Sequence, residues 1–457
     1  MASQTDELRT ESSAPDDARE RQHGRATAPD EPVITVTGEV ARRLRPLVGG
    51  LLGRAAPVSF EFWDGSTIRS EPSVATLRFT SADALRRLLW MPNELGLGRS
   101  YVAGDIELEG SIFDAVTTLR DADPANGLGS LKLLPKAVLA ARSVGALGLP
   151  LEPPPEEARL SGWRHSLRRD ARAITHHYDV GNDFYRLVLG PVMTYSCARF
   201  THDDATLDEA QEAKHELICR KLGLHERPGA RLLDVGCGWG SMAIHAATHH
   251  DARVVGITIS RAQAELARQR AVEAGVADRV EIRLQDYREL GTERFDVISS
   301  VGMSEHVGHD KLDQYFGILR ACLGPKGRLL NHAISSVGGS KLGRTSFVGR
   351  YVFPDGELVD VGRTVLAMER AGFEVRDVES LREHYARTLR AWVANLEARW
   401  DEAVELVGVA RAKVWRLYMA GSAIGFEDGG IGIHQVLGVV PTDDGASGMP
   451  ATRSGWG

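Results

Sequence analysis

Two kinds of hydrophobic patterning divide this chain. In its first third, Val58-Ser-Phe-Glu-Phe-Trp63 alternates in the manner of a half-buried strand. Asp64-Gly65-Ser66 supplies a turn, residues 75–79 read as the return strand, and a short helix is expected over 82–90. Residues 101–110 read as a further strand pair or strand end. In the second part, short apolar runs recur at 231–235, 253–257, 280–284, 295–299 and 327–332. Helical spacings fall between or before them, at 207–222, 242–249, 261–274 and 311–323. Thr206 and Glu209 stand three apart as a capping box and Gly223 closes that helix. Such β/α alternation predicts an α/β fold, a doubly wound and mostly parallel sheet, preceded by a smaller α/β N-terminal domain.

Domain boundaries follow from composition. Residues 1–32 are polar and poor in large apolar side chains, and are expected to be disordered. An N-terminal domain is expected over 33–152, a linker over 153–165 around Pro153-Pro-Pro155, a second domain over 166–440, and a flexible Gly/Ser/Thr-rich tail over 441–457. Residues 131–151 are apolar, with few charges, and read as a core helix, the other reading being an amphipathic segment touching a membrane. The net charge of −7 argues against a nucleic-acid partner. Four widely spaced cysteines without a C-x-x-C pair argue against a disulfide framework or a metal site. No apolar run is long enough to span a bilayer and no leader is expected, so the expected location is cytoplasmic, peripheral to the inner face of the membrane.

The densest chemistry lies in Leu232-Leu-Asp-Val-Gly-Cys-Gly-Trp-Gly-Ser241. A buried strand runs into Asp234, then into Gly236, Gly238 and Gly240, which let the backbone turn and approach a ligand closely. A strand, Gly-rich turn and helix suit a nucleotide-bearing cofactor at the carboxyl edge of a parallel sheet. After the second strand, Thr258 stands where a dinucleotide site, or an ordinary S-adenosylmethionine site, would place an acid for the ribose hydroxyls, and its absence weakens NAD sharply. Gln263 is either a cap on the following helix with Ser260 or a ribose contact. After the third strand, Asp286 can accept from an adenine amino group and Tyr287 can stack on the ring, while Asp234 would face the ammonium of a methionyl tail.

Several further segments resemble one family, the cyclopropane-fatty-acid synthase group of S-adenosylmethionine-dependent methyltransferases. They are His176-His-Tyr-Asp-Val-Gly-Asn-Asp-Phe-Tyr185, Met193-Thr-Tyr-Ser-Cys197, Gly302-Met-Ser-Glu-His-Val-Gly308, Tyr351-Val-Phe-Pro-Asp-Gly356 and His384-Tyr-Ala-Arg-Thr-Leu389 with Trp392. The resemblance spans residues 171–439 and implies the class I methyltransferase fold, with Tyr195 and Ser196 touching the cofactor. It also implies a bicarbonate ion held by Cys197, Glu305, His332 and Tyr385 with the backbone of Ile334. The family adds methyl to an alkene of a phospholipid acyl chain, leaving a carbocation that aromatic faces stabilise and a fixed base quenches. Phospholipid acyl chains at the membrane surface, a lipid-associated role for the N-terminal domain, and a homodimer are therefore expected.

Asp170-Ala-Arg-Ala-Ile-Thr-His-His-Tyr178, Asn331-His-Ala-Ile334, Asp355-Gly-Glu-Leu-Val359 and Val414-Trp-Arg-Leu-Tyr-Met-Ala-Gly421 look like the actinobacterial branch. That branch makes the 10-methylene precursor of tuberculostearic-type fatty acids. Ser304 stands where the classical synthase has an aromatic residue. The expected product is a methylene branch on an oleoyl-like chain, with a flavin-dependent reductase acting afterwards. A cyclopropane synthase is the alternative, and a small-molecule N-methyltransferase or a silent lipid-binding protein stand further off.

Overall fold

A computed structural model describes residues 33–52, 57–121, 134–158, 180–339, 343, 346–354 and 356–456. The expectations for residues 1–32, 131–133, 159–179, Asp355 and Gly457 lie outside the described residues.

The chain opens with β1 (Val33–Thr37), α1 (Glu39–Leu52), β2 (Val58–Glu61), β3 (Thr67–Glu71), β4 (Ala75–Phe79), α2 (Asp83–Trp90), α3 (Glu94–Ala103), β5 (Ile106–Gly110), α4 (Ile112–Asp121) and α5 (Leu134–Ser143). Its five strands form a sheet of order β1-β3-β2-β4-β5. The return strand of the first hairpin is β3, not 75–79. The turn at 64–66 leads straight into β3, which pairs antiparallel with β2, whereas β4 pairs with β2 in parallel. Residues 101–103 end helix α3 rather than forming a strand, because Asn93 caps that helix and Gly104 terminates it in the left-handed region. The 131–151 segment contains α5, but it is not a core helix: Leu139 and Leu149 are 70% and 77% exposed, and among its described residues only Ala141 and Ala146 are buried. The small face meets α1 and α2 and leaves the large apolar side chains outside.

After α6 (Asn182–Leu189) comes the expected alternation. It runs α7 (Leu207–Leu222), β6 (Arg231–Val235), α8 (Ser241–His250), β7 (Arg253–Thr258), α9 (Arg261–Glu273), β8 (Val280–Leu284), β9 (Phe295–Val301), α10 (Ser304–Val307), α11 (Leu312–Ala321) and β10 (Leu323–Ser336). The predicted capping box of α7 is present in full, worth about 1 kcal/mol of helix stability. The eight-stranded sheet has the order β12-β13-β10-β9-β6-β7-β8, with β11 (Val359–Asp360) beside β10. Strands β6 to β10 are parallel, and β13 (Ile431–Val439) runs antiparallel between β10 and β12 (Glu374–Ser380). Alternate residues bury against opposite helical layers. Leu232, Val254 and Val297 face α7, α8 and α9, while Leu233, Val255 and Ile298 face α11 and α13 (Val361–Arg370).

A third core is helical. It joins α6, α12 (Phe347–Tyr351), α14 (Arg382–Ala398), α15 (Trp400–Val407) and α16 (Val409–Glu427), and it also takes in Leu95, Val102 and Ile112 of the N-terminal unit. The two units therefore share one buried apolar seam. Three contacts tie the tail to the second unit. Arg328 donates to the Gly448 carbonyl at 2.9 Å, Arg453 pairs with buried Asp377 at 2.5 Å, and Trp456 is buried beneath Lys221. Its indole removes enough apolar surface from water to hold a segment that composition alone marks as loose.

Candidate functional site

Two cavities meet above the carboxyl ends of the parallel strands. The first, of about 480 Å³, is lined by Tyr195, Ser196, Asp234, Gly236, Gly238, Thr258, Gln263, Asp286 and Tyr287. Every predicted cofactor residue lines it except Gly240, which sits behind as the left-handed N-cap of α8. Gly236 has φ +73°, and a Cβ there would stand 2.4 Å from Met303 Sδ, so only glycine fits the turn. Arg270 ties this loop to the 192–196 loop, donating to the carbonyls of Trp239 and Val192 and to Ser241 Oγ.

Asp234 is 2% exposed. Ser299 Oγ donates to its Oδ1 at 2.7 Å, while its Oδ2 is buried without a partner. Burial pushes its carboxyl up to about 6, against the Ser299 hydrogen bond and Lys214. A cationic ligand group is what such an oxygen lacks. The Ser260–Gln263 capping box is only half formed. Ser260 Oγ accepts from Gln263 N at 3.4 Å, but Gln263 Oε1 accepts from Thr258 Oγ1 at 2.9 Å. Thr258 thus holds the Gln263 amide at the cavity wall instead of letting it fold back onto the helix. Asp286 is clamped by Arg288, whose Nε and Nη2 donate at 2.8 and 2.7 Å. Burial raises its pKa, but those hydrogen bonds outweigh it and hold the carboxyl below its ordinary value.

The second cavity is larger, about 640 Å³, and mostly apolar. Its far wall comes from the N-terminal unit (Leu97, Tyr101, Leu108, Val116 and Leu119) and its near wall from Glu305, Ile334, Tyr385 and Tyr418. Tyr195, Gly302 and His306 border both cavities. Glu305 stands at this junction on α10, directly after β9. Its Oε1 accepts from the Ile334 amide at 2.7 Å and its Oε2 is buried without a partner. Burial drives its carboxyl up to about 7, opposed by the Ile334 N–H. His306 is held neutral, burial pushing it down to about 4. Aromatic faces crowd the junction: Tyr195 stacks on Trp392 at 5.2 Å, Trp392 meets Tyr385 edge-on at 6.0 Å, and Tyr195 donates to the Tyr418 hydroxyl at 3.2 Å.

Of the five residues expected to hold an oxyanion, Glu305, Ile334 and Tyr385 line the second cavity, and Cys197 and His332 line neither. Cys197 Sγ donates to the carbonyls of Ala198 and Leu381, and burial keeps it a thiol. His332 Nδ1 accepts from Gln435 at 3.2 Å, which leaves the proton on Nε2, itself buried and unpartnered. Sequence reasoning missed Lys214, His306 and Tyr418. His306 and Tyr418 stand inside quoted motifs without a role assigned to either, and Lys214 reads as an ordinary charge on a helix.

A family model described as mycolic acid cyclopropane synthetase matches residues 165–436. A probable fatty acid methyltransferase of Mycobacterium tuberculosis is 41% identical over 413 residues, covering 86% of this chain and 93% of the relative. The cyclopropane-fatty-acyl-phospholipid synthase of Escherichia coli K12 is 38% identical over 261 residues, covering 57% of this chain and 66% of that protein. Among solved structures, mycolic acid cyclopropane synthase CmaA1, complexed with S-adenosylhomocysteine and CTAB, superposes with a TM-score of 0.55 at 35% identity. That match covers 59% of this chain and 97% of the other. With a glycine-cradled cavity at the strand edge and matches of this extent, the chain belongs to the mycolic acid cyclopropane synthetase family and is an S-adenosylmethionine-dependent methyltransferase.

Proposed function

We propose that this enzyme methylates the double bond of an unsaturated phospholipid acyl chain and releases a methylene-branched product, 10-methylene on an oleoyl-like chain. The observation that carries the reading is the apolar cavity that shares Tyr195, Gly302 and His306 with the cofactor cavity, with the buried carboxyl of Glu305 beside that border. An alkene is a poor nucleophile, so its π electrons must be aligned with the sulfonium methyl in a site free of water. The methyl–sulfur bond breaks as a carbon–carbon bond forms, and positive charge appears on the neighbouring acyl carbon. Tyr195, Tyr385, Tyr418 and Phe353 line the junction and the acyl cavity with π faces able to stabilise that charge. A hydride shift followed by loss of a proton from the new methyl group leaves the methylene, and ionised Glu305 is the fixed acceptor in reach.

Glu305, whose Oε2 is unpartnered, and Tyr385 both line the second cavity, an acceptor and a hydroxyl that suit a bicarbonate ion, whereas His332 Nε2, though buried and unpartnered, borders neither cavity. Bicarbonate bound there would supply a weak base. The Ile334 amide and Cys197 thiol are committed to other partners, so the fit rests on Glu305 and Tyr385.

The names of the relatives support the methyl-branch reading, since the 41% relatives are called fatty acid methyltransferases and those at 36–38% are called cyclopropane synthases. The substrate then lies at a membrane surface. No described helix is long and apolar enough to cross a membrane, so the protein would work as a peripheral enzyme, with a reductase saturating the methylene afterwards. Expression in a host lacking modified lipids, with labelled methionine and gas chromatography–mass spectrometry of the fatty esters, tests this. A labelled methylene C19 ester is expected; a labelled cyclopropane of equal mass, distinguished by retention time, would overturn the product assignment.

A further inference from the structure

The cofactor cavity also holds a buried lysine. Lys214 lies on α7, four residues past Ala210 on the face that packs under the 193–197 loop, and it is 1% exposed. A lysine ammonium taken that far from water is expected to meet a carboxylate. Lys214 instead donates to a neutral hydroxyl, Ser196 Oγ, at 3.0 Å, and among the described residues no carboxylate stands within ion-pair distance of it. Ser196 is itself fixed, its carbonyl accepting from Gln211 at 2.9 Å.

The same cavity holds the opposite defect, the buried Asp234 Oδ2 with no partner. The two groups sense each other's charge without touching. Burial lowers Lys214 to about 7 despite the pull of Cys197 and Asp234, and raises Asp234 to about 6. Each charge is thus under-compensated, and a second pair of opposite charges placed between them would complete both.

S-adenosylmethionine carries such a pair at its aminoacyl end. Gln285, Asp286 and Tyr287 follow β8, two strands from β6 and its Asp234, while α7 packs on β9 and β10 to the other side of β6, so with adenine at the β8 end the aminoacyl end falls toward Ser196 and Lys214. We propose that Lys214 and Ser196 receive the carboxylate of the methyl donor while Asp234 receives its ammonium, a seat read by two opposite charges. The seat fixes the donor at one end, and the sulfonium methyl is then held toward Tyr195, Gly302 and His306, where the acyl cavity opens. Lys214 is a binding and positioning residue; it touches no reacting atom.

The test is isothermal titration calorimetry on the full chain with S-adenosylhomocysteine, its decarboxylated analogue and 5′-methylthioadenosine. Removing a charge-assisted partner costs about tenfold to a hundredfold in affinity. The wild-type protein should bind the decarboxylated analogue weaker than S-adenosylhomocysteine by that factor. Lys214→Met should lose the same factor for S-adenosylhomocysteine and nothing further for the decarboxylated analogue or for methylthioadenosine. A variant weakened equally toward all three ligands would show Lys214 to be structural, and full retention of S-adenosylhomocysteine affinity would remove it from the site. If Lys214→Met does not fold, the wild-type comparison still decides, because equal affinity for the two full-length ligands overturns the seat.

Discussion

The two cavities share a border at Tyr195, Gly302 and His306, yet they are built in opposite ways. The cofactor cavity is made mostly from short stretches that each follow a parallel strand, and its wall carries buried charges. The apolar cavity is assembled from α3, α4, β5, α10, α12, α14 and α16, with lining residues as far apart as Leu77 and Ile431. One is a backbone device, in which glycines at defined φ bring amides to a ligand. The other is a packing device, in which two folded units leave a gap between them. Only the first has a local sequence signature; the second takes the acyl chain in the function proposed above.

The sharpest way to break the comparison is at Glu305. Glu305→Gln keeps the shape of the junction and the Ile334 hydrogen bond but cannot take a proton. Turnover should fall about 10³-fold while S-adenosylhomocysteine affinity stays within about twofold. If titration calorimetry instead shows cofactor binding lost along with turnover, the two cavities do not divide the labour as described. The converse lesion is Gly236→Val. A β-branched side chain there is strained at φ +73° and collides with Met303. Cofactor affinity should drop about a hundredfold, several kcal/mol of strain being comparable with the binding it disrupts.

These two sites also mark how far the sequence could be followed. Asp234 and the three glycines were legible because a tight turn between strand and helix permits few residue types. The alternation of β6 to β10 was legible because buried parallel strands are short apolar runs. The capping box at Thr206 and Glu209 was read correctly, whereas the one at Ser260 and Gln263 was half right, because Thr258 competes for the same amide. Lys214 was invisible for a physical reason. Its helix repeats polar residues, and nothing local distinguishes a solvated lysine from one folded under a loop. The apolar cavity could not be foreseen, because Leu97, Leu119 and Tyr418 acquire their common purpose only when the helical seam closes.

The pH dependence of turnover sharpens the assignment further. Burial holds Glu305 protonated until pH reaches about 7, and only the ionised carboxylate can accept a proton. At saturating cofactor, kcat should therefore rise with pH through about 7 and fall about tenfold per unit below it. A profile flat from pH 5 to 8 would remove Glu305 as the titrating group. On the apolar side, Leu97→Trp places an indole in the acyl cavity from the N-terminal unit. Overpacking of about 1 kcal/mol should lower turnover on long acyl chains roughly fivefold and leave S-adenosylhomocysteine affinity unchanged. An unaltered rate with long chains would mean that the acyl chain does not enter that far.

The smallest expected effect concerns what holds the two units together. Arg120 on α4 pairs with Asp428 just beyond α16, and both lie near the rim of the apolar cavity. Their side chains are 48% and 34% exposed, so water screens the pair and its worth is at most about 1 kcal/mol. Beneath them the seam is apolar and dense. Leu95, Val102 and Ile112 enter the same cluster as Trp415 and Tyr418, and a Cβ on Gly98 would stand 2.4 Å from the Phe347 ring. Arg120→Ala should accordingly leave turnover within about twofold, with unfolding changed by less than about 1 kcal/mol. Gly98→Ala, by contrast, drives a methyl into an aromatic ring at the point where α3 meets α12. A larger loss from Arg120→Ala than from Gly98→Ala, measured by denaturant unfolding of the two variants side by side, would show that charge rather than packing closes the cavity.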